Sequence, residues 1–340
     1  VSQLLDALAE PLGYFTDPQR RLHWLYLATA LVLAGAVALR DRRRAAVGRP
    51  QPSPSLRRIL FSRSTALDLQ LLFGNSVARA VLLAPLVLTS LAAITEVARA
   101  LARTFGHPTP SDAPAWAVMA GYTTALFVID DLTRYLLHRA MHRLGPLWEL
   151  HKLHHTAEVL TPLTLYRVHP VETALYMLRS ALTIGLVTGV GYHLFPNQLG
   201  QLEVLGINAF AFAFSALGAN LRHSHVWLSF GRRAEHLIVS PAQHQIHHSD
   251  DPRHHDRNFG TFLAIWDWAG GTLWTTTAER EPLTFGVGAQ KHHQDHLLSA
   301  WFAPLAAALR PALKSIGRGL NELRGARQRP WRAESEKLAR

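Results

Sequence analysis

Three short histidine blocks hold most of the chemistry this chain can do. His138 and His142 stand four residues apart, and after an eight-residue gap come His151, His154 and His155. His244, His247 and His248 repeat that second pattern, with His223 and His225 upstream. Spacings of three and four place side chains on one helical face. Leu144-Gly145-Pro146 is predicted to break the helix between the first two blocks, so that two histidine faces meet at a corner. Pro241 is predicted to start the helix of the last block. Eight clustered imidazoles would repel one another if protonated, and divalent metal is the partner that relieves this. Their number exceeds what one ion takes, so two ions are expected. Imidazole suits iron, zinc, copper and nickel, and the residues alone do not choose among them.

Other chemistries are excluded or weaker. The chain has no cysteine, which removes disulfides, thiolate metal sites and thiol nucleophiles. It has no His-Glu-x-x-His run of the zinc-protease type. His23, His107, His193 and His236 read as isolated structural histidines, as do His292, His293 and His296. His254-His255 reads as a loose metal-binding pair.

The elements that position these blocks are apolar. The 340 residues are 48% hydrophobic and only 17% charged, with a net charge of +11. Apolar runs cover Leu22–Leu39, Ala66–Ala98 (densest over Ala80–Thr95, with a kink expected at Pro85), Ala115–Ile129, Val171–Phe195 and Leu202–Leu217. The first, at about 27 Å as a helix, just matches a hydrocarbon core. It is read as a retained span, not a cleaved signal, because Arg40, Arg42, Arg43 and Arg44 follow it. Eight arginines between positions 40 and 63 place that segment in the cytosol. Threading onward puts 99–114 and 196–201 outside, and 134–170 and everything from Asn220 inside. Both histidine regions then share the cytosolic side. The expected fold is all-α: a multi-pass transmembrane helical bundle with a cytosolic histidine-lined di-metal helical cap. Its parts are an N-terminal segment 1–21, helices and a basic linker over 22–133, a histidine-box region 134–296 and a basic tail 297–340. From Ser299, Arg310, Lys314 and Arg318 repeat at spacing four, as on an amphipathic helix lying on anionic lipid; from Arg324 disorder is expected. Nucleic-acid binding has no support beyond charge.

HRAMH, HKLHH and HQIHH, in this order, resemble the fatty acid hydroxylase/sterol desaturase superfamily of membrane-bound histidine-box di-iron oxygenases. Arg167-Val-His169-Pro170-Val-Glu172, Asn220-Leu-Arg-His223-Ser-His225, Asn258-Phe-Gly260 and Trp266-Asp267 add to it, over about Leu82 to Leu283. The resemblance implies two iron ions, with zinc replacing them on purification, and O2 as co-substrate. It implies hydroxylation or desaturation of a lipid C–H bond, such as that of a sterol or fatty acyl chain, with hydroxylation the expected outcome. Carried over, the ligands are His138, His142, His151, His154, His155, His244, His247 and His248, with His223 as an intermediate ligand. His225 departs from the family pattern and is a further metal candidate. Asp131, seven residues before His138 on the same face, is a candidate to orient a ligating ring; Glu172 and Asp256 are weaker ones. Without a flavin or dinucleotide motif, electrons are expected from a separate ferredoxin or cytochrome b5-like protein docking on the basic face. A membrane divalent-metal transporter or metal-binding protein is the alternative, but it should carry ligands inside its spans.

Overall fold

The computed structural model describes residues 2–45, 55–83, 89–107, 109–277, 279–288 and 295–338. The Pro85 kink, His292 and His293 lie outside the described residues. The structure is almost entirely α-helical: α1 (Ser2–Ala9), α2 (Trp24–Ala45), α3 (Leu56–Leu60), α4 (Arg63–Ala78), α5 (Thr89–Phe105) and α6 (Ala115–Arg143), then α7 (Gly145–His155), α8 (Pro170–Leu194), α9 (Ala209–Ala216), α10 (Pro241–His247), α11 (Ile265–Gly270) and α12 (Leu297–Leu338). A two-stranded antiparallel hairpin, β1 (Glu203–Val204) and β2 (Ile207–Asn208), precedes α9.

Helix α6 does not stop at Asp130-Asp131, where its apolar run ends. Asp130 instead accepts from Arg134 at 2.7 Å and from Arg179 of α8 at 2.8 Å, so its charge is paired inside the bundle. The helix runs on for 29 residues, about 43 Å, and its last two turns carry His138 and His142. The corner expected at Gly145-Pro146 is present. Leu144 is extended, with φ −103° and ψ 114°, and α7 restarts at Gly145.

Gly185 and Gly189 do not interrupt α8. They are its contact face with α5: a Cβ at Gly185 would meet Ala93, and one at Gly189 would stand 3.0 Å from the Ile94 carbonyl. Among the described residues two helices, Trp24–Arg43 and Pro170–Leu194, are long and apolar enough to cross a bilayer. Leu31, Val32 and Leu39 on the first and Leu182 and Leu186 on the second are exposed. Such an apolar outer face suits contact with lipid or with another protein.

Leu202–Leu217 is not a span. The hairpin folds back, with Leu202 N donating to Thr123 Oγ1 at 2.8 Å and Asn208 Nδ2 to the Thr123 carbonyl at 3.1 Å. Leu205 and Gly206 take positive φ in its turn, and α9 is then only eight residues long. The basic tail is also not disordered from Arg324, since α12 continues to Leu338. Its first turns pack Ala300 and Trp301 against Leu67, Leu71 and Leu153, which ties the tail to the back of α7.

Candidate metal centre

Nine of the ten candidate histidines come together in two adjoining groups. His138, His142, His151, His155 and His247 form one; His154, His223, His244 and His248 form the other. Within each, one nitrogen per residue lies within 4.8 Å of all the others. The rings of His155 and His248 stack at 4.7 Å and join the groups. Three helices supply eight of these residues: the end of α6, one face of α7, and α10 with its C-cap His248. A capping box starts α10 at Ser240, whose side chain accepts from Gln243 N while the Gln243 side chain accepts from Ser240 N. His223 follows a 3₁₀ turn over Ala219–Leu221.

The partners of Nδ1 reveal what the other ring nitrogens face. His138 Nδ1 donates to the Phe259 carbonyl at 2.7 Å, and His151 Nδ1 to Glu172 Oε1 at 2.8 Å. His154 Nδ1 donates to the Arg167 carbonyl at 3.3 Å, and His247 Nδ1 to the Arg257 carbonyl at 2.8 Å. A neutral imidazole has one N–H, so the Nε2 atoms of these four carry lone pairs. Those of His138 and His151 nevertheless face each other at 3.1 Å. His223 Nε2 lies 3.2, 3.1 and 3.0 Å from those of His154, His248 and His244, which one N–H cannot serve. The buried Nε2 atoms of His142, His155 and His247 have no protein partner. Lone pairs crowded together this way fit a cation. Metal–nitrogen bonds of about 2.0–2.1 Å give ligand–ligand spacings of about 2.9 Å at right angles and about 3.4 Å in a tetrahedron. The 3.1 Å His138–His151 spacing in one group and the 3.0–3.2 Å spacings around His223 in the other lie between those values, so these donors fit metal.

Burial prepares the rings for this role. Desolvation, ahead of repulsion from neighbouring groups, pulls His138, His142, His154, His155, His244 and His248 well below the usual histidine range. Burial likewise brings His223 and His247 down to about 3. All are neutral near pH 7, the form that ligates.

The orienting groups differ from expectation at two positions. Asp131 touches no imidazole. Its carboxylate accepts from Phe262 N, Leu263 N and Trp266 Nε1, each at 2.9 Å. Asp267 accepts from Phe259 N at 2.9 Å and Gly260 N at 2.7 Å. These two aspartates hold the loop that presents the Phe259 carbonyl to His138. Asp256 also leaves the rings alone and faces Arg143 at 3.6 Å. Glu172 does orient a ligand, His151. Arg167 acts through its carbonyl, while its guanidinium binds Asp68 at 2.6 Å. His169 caps α8, accepting from Val171 N at 3.1 Å and donating to the Trp301 carbonyl at 2.7 Å. Neither the backbone carbonyls nor Asp267 could be picked out by side-chain type; the Asn258-Phe-Gly260 and Trp266-Asp267 pieces were the available signal.

His225 lies outside both groups. Two residues beyond His223 in a non-helical turn, its ring points elsewhere and meets Phe285 at 5.6 Å. His254 is buried against Trp274, 5.1 Å away, and 3.4 Å from Glu281. His23, His107, His193, His236 and His296 also stand outside the two groups.

Two cavities reach the centre. One, of about 440 Å³, is lined by His138, His151, His154, His223 and His244 together with apolar residues of α2, α8 and α9. The other, of about 490 Å³, reaches His142, His155 and His247 past Trp148, Asp256 and Val287.

Fold and site together define a helical protein with two buried histidine groups able to hold metal. Residues 123–272 match the fatty acid hydroxylase family model. The chain thus carries a family-level match to the fatty acid hydroxylase/sterol desaturase superfamily, in agreement with the resemblance of its histidine boxes. It is 30% identical over 155 residues to a Delta(7)-sterol 5(6)-desaturase of Eremothecium gossypii, covering 44% of this chain and 36% of the relative. It is 27% identical over 161 residues to an alkylglycerol monooxygenase of Danio rerio, covering 47% and 32%. It is 28% identical over 188 residues to the ornithine lipid hydroxylase OlsE of Rhizobium tropici, covering 53% and 49%. The chain thus spans less than half the length of each of these three relatives. No solved structure matches. The matched residues include all nine clustered histidines.

Proposed function

We propose that this protein is a membrane-bound di-iron enzyme that uses O2 and electrons from a separate donor to hydroxylate a C–H bond of a lipid. The observation that carries this reading is the pair of adjoining all-imidazole groups with lone pairs turned inward. Iron held there would supply the reduction of O2 that attack on an unactivated C–H bond requires. The chain's own residues do the rest. Glu172 and the carbonyls of Phe259, Arg167 and Arg257 hold four rings in the ligating tautomer. The 440 Å³ cavity offers a lipid chain a path past Tyr26, Leu165, Ala211 and Phe262 to the imidazoles. The exposed apolar faces of α2 and α8 support a bilayer around the upper bundle, with the histidine end at the cytosolic surface. The names of the relatives include a desaturase, a monooxygenase and a hydroxylase, all named for lipids, and they support a lipid substrate. Hydroxylation is preferred to desaturation because oxygen transfer follows hydrogen abstraction unless a site prevents it.

The test uses the iron-loaded chain in membranes with a reducing system and isotopically labelled O2. Label in a product lipid, lost in His248→Ala, supports the reading. An O2-dependent double bond without label would indicate desaturation. Metal flux into vesicles with no O2 consumption would favour a transporter.

A further inference from the structure

The cavity beside the four-imidazole group contains cations that the metal centre does not use. Arg21, Arg134 and Arg222 line it together with His223 and His244. Arg134 is matched by Asp130, at 2.7 Å. Arg21 has no carboxylate partner among the described residues, and Arg222 feels the charge of Asp131 without forming an ion pair with it. Arg222 is only 6% exposed. Its Nη2 donates to the carbonyls of Thr261 and Val239, its guanidinium lies 4.4 Å from the Phe214 ring centroid, and its Nε is buried without a partner. Among the described residues the Arg21 guanidinium makes no hydrogen bond or ion pair, and its near neighbour is the Phe262 ring at 5.8 Å. Glu172 is the one carboxylate in the described lining, and it already accepts from His151. Burial and the charge of Arg134 bring Arg21 down to about 10, so it remains charged at pH 7.

Guanidinium groups lining a cavity without a direct ion-pair partner are costly. Their planar donor sets match carboxylate and phosphate oxygens. Around them the cavity offers Tyr26, Leu165, Ala211 and Phe262, an apolar lining suited to a chain. We propose that Arg21 and Arg222 receive the anionic oxygen group, carboxylate or phosphate, of a lipid whose chain occupies this cavity against the imidazoles. The inference rests on the lipid-oxidation reading and narrows its substrate from lipids in general to anionic amphiphiles. A neutral sterol would leave the Arg21 guanidinium unmatched.

The test measures binding to the full metal-loaded chain in non-ionic detergent. The probes are dodecanoate, dodecyl phosphate, methyl dodecanoate, acetate and inorganic phosphate. The chain-bearing anions should bind about tenfold more tightly than the ester, as expected for a charge-assisted pair. Arg21→Gln should abolish that preference, and Arg21→Lys should retain most of it at unchanged metal content and circular dichroism. An ester that binds as well as dodecanoate overturns the proposal, and so does a preference that survives Arg21→Gln. Acetate or inorganic phosphate binding as well as the chain-bearing anions overturns the lipid head and assigns the arginines to a free anion. Metal measured on the same samples separates the two readings. Two ions per chain without an anion preference refute the arginine site alone, whereas folded wild type without metal refutes the di-metal reading.

Discussion

Glu172→Ala tests whether the carboxylate beside His151 sets the ligating tautomer. Glu172 and His151 are 2% and 3% exposed, and their contact is 2.8 Å. Removing the carboxylate leaves a buried N–H without a partner, a cost of about 1–3 kcal/mol. The ring can relieve that by moving its proton to Nε2. That atom stands 3.1 Å from His138 Nε2, so the proton would occupy the lone pair the metal needs. Loss of such an orienting partner lowers metal affinity by about 10- to 100-fold, equivalent to about 1.4–2.7 kcal/mol. The assay is a chelator competition with two equivalents of Zn²⁺ or Co²⁺ bound. The weakening should fall on one of the two ions, because His151 belongs to the five-imidazole group. Glu172→Gln keeps an acceptor oxygen and should lose less. A folded Glu172→Ala variant that holds both ions as tightly as wild type would refute the tautomer argument. Equal weakening of both ions would refute the division into two groups.

Further expectations concern the ligands, the loop and pH. His247→Ala and His244→Ala should each weaken a different ion in the same competition, while His225→Ala leaves both in place; loss of an ion in His225→Ala would restore that residue as a ligand. Gly260→Ala should lower the melting temperature, by a stability loss of about 1–3 kcal/mol, because its Cβ would stand 2.8 Å from both Asp267 Oδ2 and the Leu263 carbonyl; an unchanged melting curve would show that the loop yields. The metal-free protein should lose stability as pH falls below about 6.5. His223 and His247 hold folded-state values near 3, so between about 3 and 6.5 the unfolded chain binds more protons. Each such ring then costs about 1.4 kcal/mol per pH unit, and none of this is felt above pH 6.5. Urea midpoints that stay flat from pH 7.5 to 5 would contradict the buried, neutral rings.

The sequence by itself determined the parts of this protein that depend on local spacing. Histidines at i, i+3 and i+4 must share a helix face, and Gly145-Pro146 must turn the chain, so α6, α7 and α10 and eight of their imidazoles were legible. The clustering of so many imidazoles at helical spacing already pointed to metal. The tertiary structure alone decided how nine rings divide into five and four, because that division sets His154 apart from its neighbours His151 and His155 on one short helix. It also decided which nitrogen of a ring ligates: the carbonyl that holds His138 Nδ1 lies 121 residues away, and backbone carbonyls carry no residue signature. Asp131 shares a helix face with His138, yet its charge goes to the backbone N–H groups of a loop 131 residues on. His225 and Leu202–Leu217 show the same limit. A ring two residues from a ligand was turned away by a non-helical turn, and an apolar run was folded back by a hairpin that pairs with Thr123, because contacts distant in sequence overrode what hydropathy and proximity suggested.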